Sequence, residues 1–397
     1  MKPDHSEKSK VALIPCPNYD EPAVYEAVKT GAGLIGGIDG LFKGDDKILL
    51  KPNLLKKATP EQAVTTHPAV FAAAAKLLRE NGFDNLFYGD SPGPTAISPL
   101  KVAEAAGIKQ KAEALGVKPA DFGTGVRKDF PAGKAANGFF LCRGAVESDA
   151  IVNLCKMKTH ALERITGAVK NTYGCVWGFN KGAGHALHSD PDSFARMLAD
   201  LNLLLKPRLH IMDAVTAMEG NGPGSGDPVD MGLILVSADP VAMDSVFCAL
   251  VGLNPSLVPT NVYGEIYGVG KWRPEDIDIV TTGGVISAEQ AFEQYGNPKF
   301  HVNRAPVLQK QLSFFSRFTD KCPVINRKNC IKCGICVESC PLEKKAIAMD
   351  KQNNSVPVYD YSKCIRCYCC QEMCPQKAIA VKVPLRAVLR GVKNKKK

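Results

Sequence analysis

Eight cysteines near the C-terminal end are spaced for metal–sulfur chemistry. Cys330, Cys333, Cys336 and Cys340 precede Pro341, giving C-x2-C-x2-C-x3-C-P, and Cys364, Cys367, Cys370, Cys374 and Pro375 repeat the run 34 residues later. A fixed offset marks an internal duplication. Tetratricopeptide helices share that period, but their Trp, Leu, Gly and Tyr pattern does not accompany it. Three thiolates on a tight loop reach three corners of one cubane, and the fourth cysteine of such a run ligates the neighbouring cluster. The expected ligand sets are therefore crossed: Cys330, Cys333, Cys336 and Cys374 for one [4Fe-4S] cluster, Cys364, Cys367, Cys370 and Cys340 for the other. Ala346-Ile347-Ala348 and Ala378-Ile379-Ala380 follow the two runs as short apolar strands that would shield the clusters. C-x2-C pairs also bind zinc, but two complete four-cysteine runs, each closed by Cys-Pro, favour iron–sulfur clusters. Cys322 and Cys369 fall outside the register. Tyr368 and Cys369 stand where the first repeat has Gly334 and Ile335.

These runs resemble the bacterial two-cluster ferredoxins over about 60 residues, and the resemblance implies low-potential electron transfer. The charge is less usual. Residues 320–384 carry eleven bases against six acids, residues 385–397 six bases and no acid, and residues 1–319 are nearly balanced, 33 against 34. Basic groups near anionic clusters should raise their potentials and attract a redox partner with an acidic surface.

A second group of candidates interrupts apolar runs at what read as the C-terminal ends of strands, where open α/β sheets bind ligands. Lys51-Pro52-Asn53 closes one run, Asp90-Ser91-Pro92-Gly93 another, and Asp213 a third that leads into Glu219-Gly220-Asn221-Gly222-Pro223-Gly224. Cys155-Lys156-Met157-Lys158-Thr159-His160 follows a fourth, with Lys170, Asn171 and Cys175 soon after. If these ends share one edge, Lys51, Asn53, Asp90 and Asp213 line a cleft. There Lys156, Lys158, Lys170, Asn171 and His160 would bind a small anionic substrate, a carboxylate or phosphate, and exchange protons. Cys155 and Cys175 are candidate thiol nucleophiles only where cations lower their pKa. For each residue the plain alternative is a solvated lysine, a strand-ending proline or a buried thiol. It is the recurrence at several strand ends that favours a site.

Stepping outward, the segments 11–16, 47–53, 85–90, 150–155, 209–215, 233–239 and 277–282 read as β-strands, several continuously apolar as when both faces are buried. Helical patterns lie between them, at 22–31, 67–82, 99–107, 193–205 and 240–252. The fold class expected is α/β: three layers, a mostly parallel sheet with helices on both faces, plus a small α+β ferredoxin-like module. The divisions are 1–302 for the large domain, 303–320 for a linker whose Phe314, Phe315 and Phe318 pack between the parts, 321–383 for the two-cluster module, and 384–397 for a basic tail. Gly31-Ala32-Gly33-Leu34-Ile35-Gly36 matches G-x-G-x-x-G, but it follows a helix where a dinucleotide site follows a strand. A helix end is expected there. No P-loop and no flavin motif is present, although a flavin between one-electron clusters and two-electron chemistry is conceivable.

KPN (51–53), GDSPG (89–93), NLCKMKTH (153–160), TGAVKNTYG (166–174), DAVTAMEGNGPGSGDP (213–228) and SADPVAMDSV (237–246) resemble, in order, the prokaryotic family catalogued as domain of unknown function 362. Many of its members carry a C-terminal ferredoxin module. The resemblance covers about residues 10–290 and implies the architecture, not a reaction.

The charged N-terminus and the lack of any apolar run of about 18 residues make the cytoplasm, in a reducing and anaerobic setting, the expected location. The basic tail could touch anionic lipid or an acidic partner; without aromatic residues to stack bases, nucleic acid is the least favoured. The leading expectation is an oxidoreductase whose two clusters exchange electrons with a small anion in the large-domain cleft. The alternatives are a non-catalytic carrier or adaptor docking a partner enzyme, and a cluster-dependent sensor or assembly protein.

Overall fold

The computed structural model describes residues 7–93, 97–304, 321–349 and 356–382. The apolar runs form strands β1 (Ser9–Pro15), β2 (Ile48–Pro52), β3 (Leu86–Tyr88) and β4 (Lys118–Pro119), then the separate hairpin β5 (Gly125–Asp129) and β6 (Gly138–Cys142). The sheet continues with β7 (Ala150–His160), β8 (Arg164–Thr166), β9 (Leu209–Glu219), β10 (Asp227–Ser237), β11 (Ile277–Thr281) and β12 (Gly284–Ile286). Its order is β12-β11-β1-β10-β9-β7-β2-β3-β4, with β8 on the end of β7. Seven of these strands point the same way, and β8, β10 and β12 run against them.

Helices α1 (Glu21–Leu34), α2 (Pro68–Glu80), α3 (Pro99–Ala105), α4 (Ile108–Ala114) and α5 (Arg143–Val146) precede α6 (Ala168–Asn171), α7 (Asn180–Leu187) and α8 (Pro191–Leu205). After them come α9 (Pro240–Leu250), α10 (Pro259–Tyr267) and α11 (Ala288–Tyr295). Caps explain several starts: Asp20 accepts from Ala23 N at 3.2 Å, and Asp239 accepts from Val241 N and Ala242 N at 2.8 and 2.9 Å, each ahead of a proline in the first turn. One core joins α1 and α2, through Val24, Val28, Phe71 and Leu78, to Ile48, Leu50 and Val152 of the sheet. Another joins α9, through Met243 and Phe247, to Leu13, Met212 and Leu235 on the opposite face. Each such fully buried side chain contributes about 1.5–3 kcal/mol.

The glycine run 31–36 serves this packing. A Cβ on Gly31 would lie 2.6 Å from Val236 Cγ2, so its bareness lets α1 press on β10, and the run ends the helix. Continuous burial also makes β7 longer than the apolar pattern indicates: Lys156 to His160 belong to the strand instead of following it.

The cysteine-rich module carries short strands β13 (Cys322–Ile325), β14 (Ile347–Ala348), β15 (Val358–Tyr359) and β16 (Ile379–Lys382) and two one-turn helices, Ile335–Glu338 and Cys369–Glu372. The loop 220–226 docks it. Gln371 Nε2 donates to Asn221 O at 2.7 Å, Asn221 Nδ2 to Ile379 O at 2.9 Å, and Lys377 Nζ to Gly226 O at 2.6 Å. Tyr368 sinks into a large-domain core with Val169, Tyr173 and Phe194. The linker phenylalanines 314, 315 and 318 and the tail lie outside the described residues.

Candidate functional site

The C-terminal ends of β2, β3 and β7 meet α6 and α7, and the module closes over them. Between the two parts lies a cavity of about 120 Å³, near the size of an engineered cavity that holds benzene. Asn53, Asp90, Ser91, Lys158, Thr166, Lys170, Asn171 and Tyr173 line it from the sheet side, Lys181 and His185 from α7, and Ser339, Cys369, Glu372 and Met373 from the module.

Its walls are a hydrogen-bonded frame. Lys51 Nζ lies 2.9 Å from Asp90 Oδ1, both buried, and donates to Pro52 O at 3.0 Å; Asp90 also accepts from Leu54 N at 2.6 Å. Gly174 makes room for that pair, since a Cβ there would stand 1.8 Å from Asp90 Oδ1. Asn53 Nδ2 donates to Asn171 Oδ1 at 2.9 Å, and Asn171 Nδ2 to Asn153 Oδ1 at 2.7 Å. Lys158 Nζ donates to Asn53 Oδ1 at 3.0 Å and Val64 O at 2.7 Å, and Lys181 Nζ to Ser91 O and Pro92 O at 2.5 and 2.7 Å.

The electrostatics favour an anion. Burial, then the ammoniums of Lys170 and Lys156, pulls Lys158 well below the ordinary lysine range; burial pulls Lys181 down to about 8. Both amines are buried and bonded to neutral oxygens, so an anionic ligand would favour their charged forms. Burial, then Lys170, lowers His160 to about 4. Its Nδ1 accepts from Leu162 N and Glu163 N at 3.1 Å, which places the proton of the neutral ring on Nε2. That atom faces Glu372 Oε1 at 3.0 Å but out of line for a hydrogen bond. Thr166 Oγ1, His185 Nδ1, His160 Nε2 and Glu372 Oε1 are buried and lack a hydrogen-bond partner among the described residues. Such orphans are uncommon and call for a ligand or water.

In the module, one void is lined by Cys330, Cys333, Cys336 and Cys374 together. Burial, then the neighbouring Cys333, Cys330 and Cys374, raises Cys336 to about 11, and Cys340 and Cys367 are among the groups acting on Cys364. Among the described residues no three His, Cys, Asp or Glu side chains converge on one ion. Cys330, Cys333, Cys336 and Cys374 surround a space, as a cubane requires.

Residues 48–249 match the family described as domain of unknown function (DUF362), which is half of the chain. The chain belongs to that family. Residues 329–378 match the 4Fe-4S dicluster domain, so this DUF362 protein binds 4Fe-4S clusters and takes part in iron–sulfur electron transfer. It is 34% identical over 266 residues to the thylakoid-associated protein sll1697 of Synechocystis, covering 67% of this chain and 81% of that protein. The lactate racemase apoprotein of Thermoanaerobacterium thermosaccharolyticum has a TM-score of 0.38 at 13% identity over 60% of this chain; the match spans 56% of the racemase chain. Among the described residues of this DUF362 protein, no helix is long and apolar enough to cross a membrane.

Of the residues picked from the sequence, Asn53, Asp90, Lys158, Lys170 and Asn171 reach the cavity; Lys51 and His160 stand directly behind its wall. Lys156 and Asp213 do not belong with them. They form a separate buried pair at 2.8 Å, closed by Tyr19, which hydrogen-bonds both at 2.8 Å and stacks on His67. The register against β9 shifts between Lys156, opposite Asp213, and Lys158, opposite Met218, and the two lysines reach different partners. Cys155 and Cys175 are fully buried, with thiol pKa values raised first by burial, Cys175 to about 12, and so are not nucleophiles. Sequence reasoning missed Lys181, His185, Glu372 and Cys369. For the first two the signal is N-K-G-A-G-H, a glycine-rich turn of helix carrying a lysine and a histidine four residues apart.

Proposed function

We propose that this protein is an oxidoreductase that binds a small anion in the cavity between its two parts and exchanges electrons with it. The observation that carries the reading is the cavity itself: buried lysines, unpartnered polar atoms and the cysteine module meet on one space. Cys330, Cys333, Cys336 and Cys374 would hold one [4Fe-4S] cluster, and Cys364, Cys367, Cys370 and Cys340 a second. When bound, these groups supply one-electron transfer.

The chain's own residues do the rest. Lys158, Lys170 and Lys181 attract and orient the anion, and Thr166 and His185 hold its remaining polar atoms. Tyr173, Met373 and Leu55 keep bulk water out. His160 stands behind the cavity wall with Nε2 3.0 Å from Glu372 Oε1 and positions that carboxylate, which lines the cavity. The reaction is placed in the reducing cytoplasm, which keeps the unligated Cys16, Cys142 and Cys248 as thiols.

The test is thermal stabilisation of the anaerobically prepared protein by a panel of small carboxylates, phosphate and inorganic oxyanions. A binder at 100 times its Kd should stabilise by about 2.7 kcal/mol, and Lys158→Met should abolish the shift. A panel that leaves the wild type unshifted counts against the reading.

A further inference from the structure

The two halves of the module share one backbone but not one environment. Lys332 and Gly334 have φ 61° and 79°, and their counterparts Arg366 and Tyr368 have φ 58° and 62°, so the duplicated ligand loops keep the same left-handed turns. The second loop is covered: Cys367 and Tyr368 are buried, Ile365 and Arg366 half-buried, and the helix Cys369–Glu372 presses on the large domain. The first loop is open. Ile331 is 60% exposed, Lys332 and Cys333 are exposed, and among the described residues nothing stands within 4 Å of where a Cβ on Gly334 would sit. Between Lys321 and Cys336 there are four bases and no acid, and Arg327 and Lys328 are exposed. Ile331 and Gly334 also line the void shared by Cys330, Cys333, Cys336 and Cys374.

We propose that the loop from Arg327 to Gly334 is the docking face for an acidic electron-carrier protein. The second ligand loop packs on the large domain and the first, from Arg327 to Gly334, faces solvent, so the module has an inner and an outer side. An electron bound for the cavity has to enter the module where another protein can approach. The partner that fits presents carboxylates to Arg327, Lys328 and Lys332 around an apolar spot for Ile331; a single exposed isoleucine is too little apolar surface to hold a bilayer. In the exchange one electron leaves the reduced carrier and enters this protein, and no bond is made or broken. The inference rests on the electron-transfer role of the module and not on the identity of the cavity's ligand.

The experiment uses the full, cluster-loaded chain with an acidic flavodoxin as probe. Binding is read by calorimetry with oxidised flavodoxin, and electron transfer by stopped flow with the reduced form. Wild-type affinity should fall at least about tenfold as ionic strength rises from about 0.02 to 0.2 M. Lys328→Glu combined with Lys332→Glu should weaken binding by about tenfold or more and remove the salt dependence. Lys363→Glu, a charge reversal on the second repeat, should bind as the wild type does. Iron content should be unchanged in every variant. Salt-insensitive or absent binding to the wild type overturns the proposal. So does equal loss in both variants, or capture of the loop by anionic lipid vesicles while flavodoxin is ignored. Calorimetry does not involve the cavity, so a failed ligand panel and a failed docking face are told apart.

Discussion

Replacing Tyr368 by glycine, the residue at the matching place in the first repeat, should loosen the module from the large domain without touching a cysteine. The ring is buried with Phe139, Val169, Tyr173 and Phe194, and its hydroxyl donates to Lys321 O at 2.8 Å. Losing a buried aromatic side chain costs about 3–5 kcal/mol, and losing the hydrogen bond about 1 kcal/mol. A tyrosine at φ 62° is strained, and relief of that strain returns roughly 1–2 kcal/mol. Glycine's extra freedom in the undocked chain takes back about 0.5–1 kcal/mol. The net loss is about 4 kcal/mol, a factor on the order of a thousand in the docking equilibrium at about 1.4 kcal/mol per decade. Hydrogen exchange read on peptides covering α7 and Cys369–Met373 should accelerate by that order, while peptides from β9 and β10 stay protected. Unchanged exchange on both sides of the cavity would refute the role given to Tyr368 and the reason offered for its departure from glycine.

Asp90→Asn should leave the Lys51 ammonium buried and uncompensated, at a cost of about 3–5 kcal/mol; calorimetry should show a fall in melting temperature of roughly 6–15 °C, largely recovered when Lys51 is also replaced by methionine. If the ligand sets are crossed, Cys374→Ser should give the same electron paramagnetic resonance change as Cys330→Ser and not that of Cys364→Ser, with about four irons left in each. Acid should destabilise the fold through His185 and His210, both lowered to about 3 by burial. A histidine whose folded pKa is depressed contributes fully above its unfolded value near 6.5 and loses about 1.4 kcal/mol per pH unit below it. Denaturant midpoints should therefore drop from pH 7 to pH 5, and a His210→Asn variant should show a shallower slope.

Local signals in the sequence carry a large part of the fold. The cysteine register is strictly periodic, and the strands that became β2, β3, β7, β9 and β10 are continuous apolar runs; both patterns report burial directly. Asn53 and Asp90 could be picked because they break such runs at their ends. What the pattern does not hold is the seam between the two parts. Glu372 and Cys369 lie more than 200 residues from Lys158, and no periodicity links residues that meet only after docking. The register shift against β9 that gives Lys156 and Lys158 different partners is likewise invisible, because it lies in the pairing of two strands and every residue of β7 is buried. Tyr368 was visible as a departure from the repeat, but its cause lies in the large-domain core.

The most direct measurement reduces the anaerobically loaded protein with a slight deficit of dithionite, then follows its visible absorption as single small anions are added. The account predicts that a particular anion restores the oxidised spectrum in proportion to the amount added, and that Lys158→Met protein, equally reduced and equally loaded, does not respond. If no anion of the panel reoxidises the wild type, or if Lys158→Met responds as the wild type does, the cavity is not the place where electrons meet a substrate.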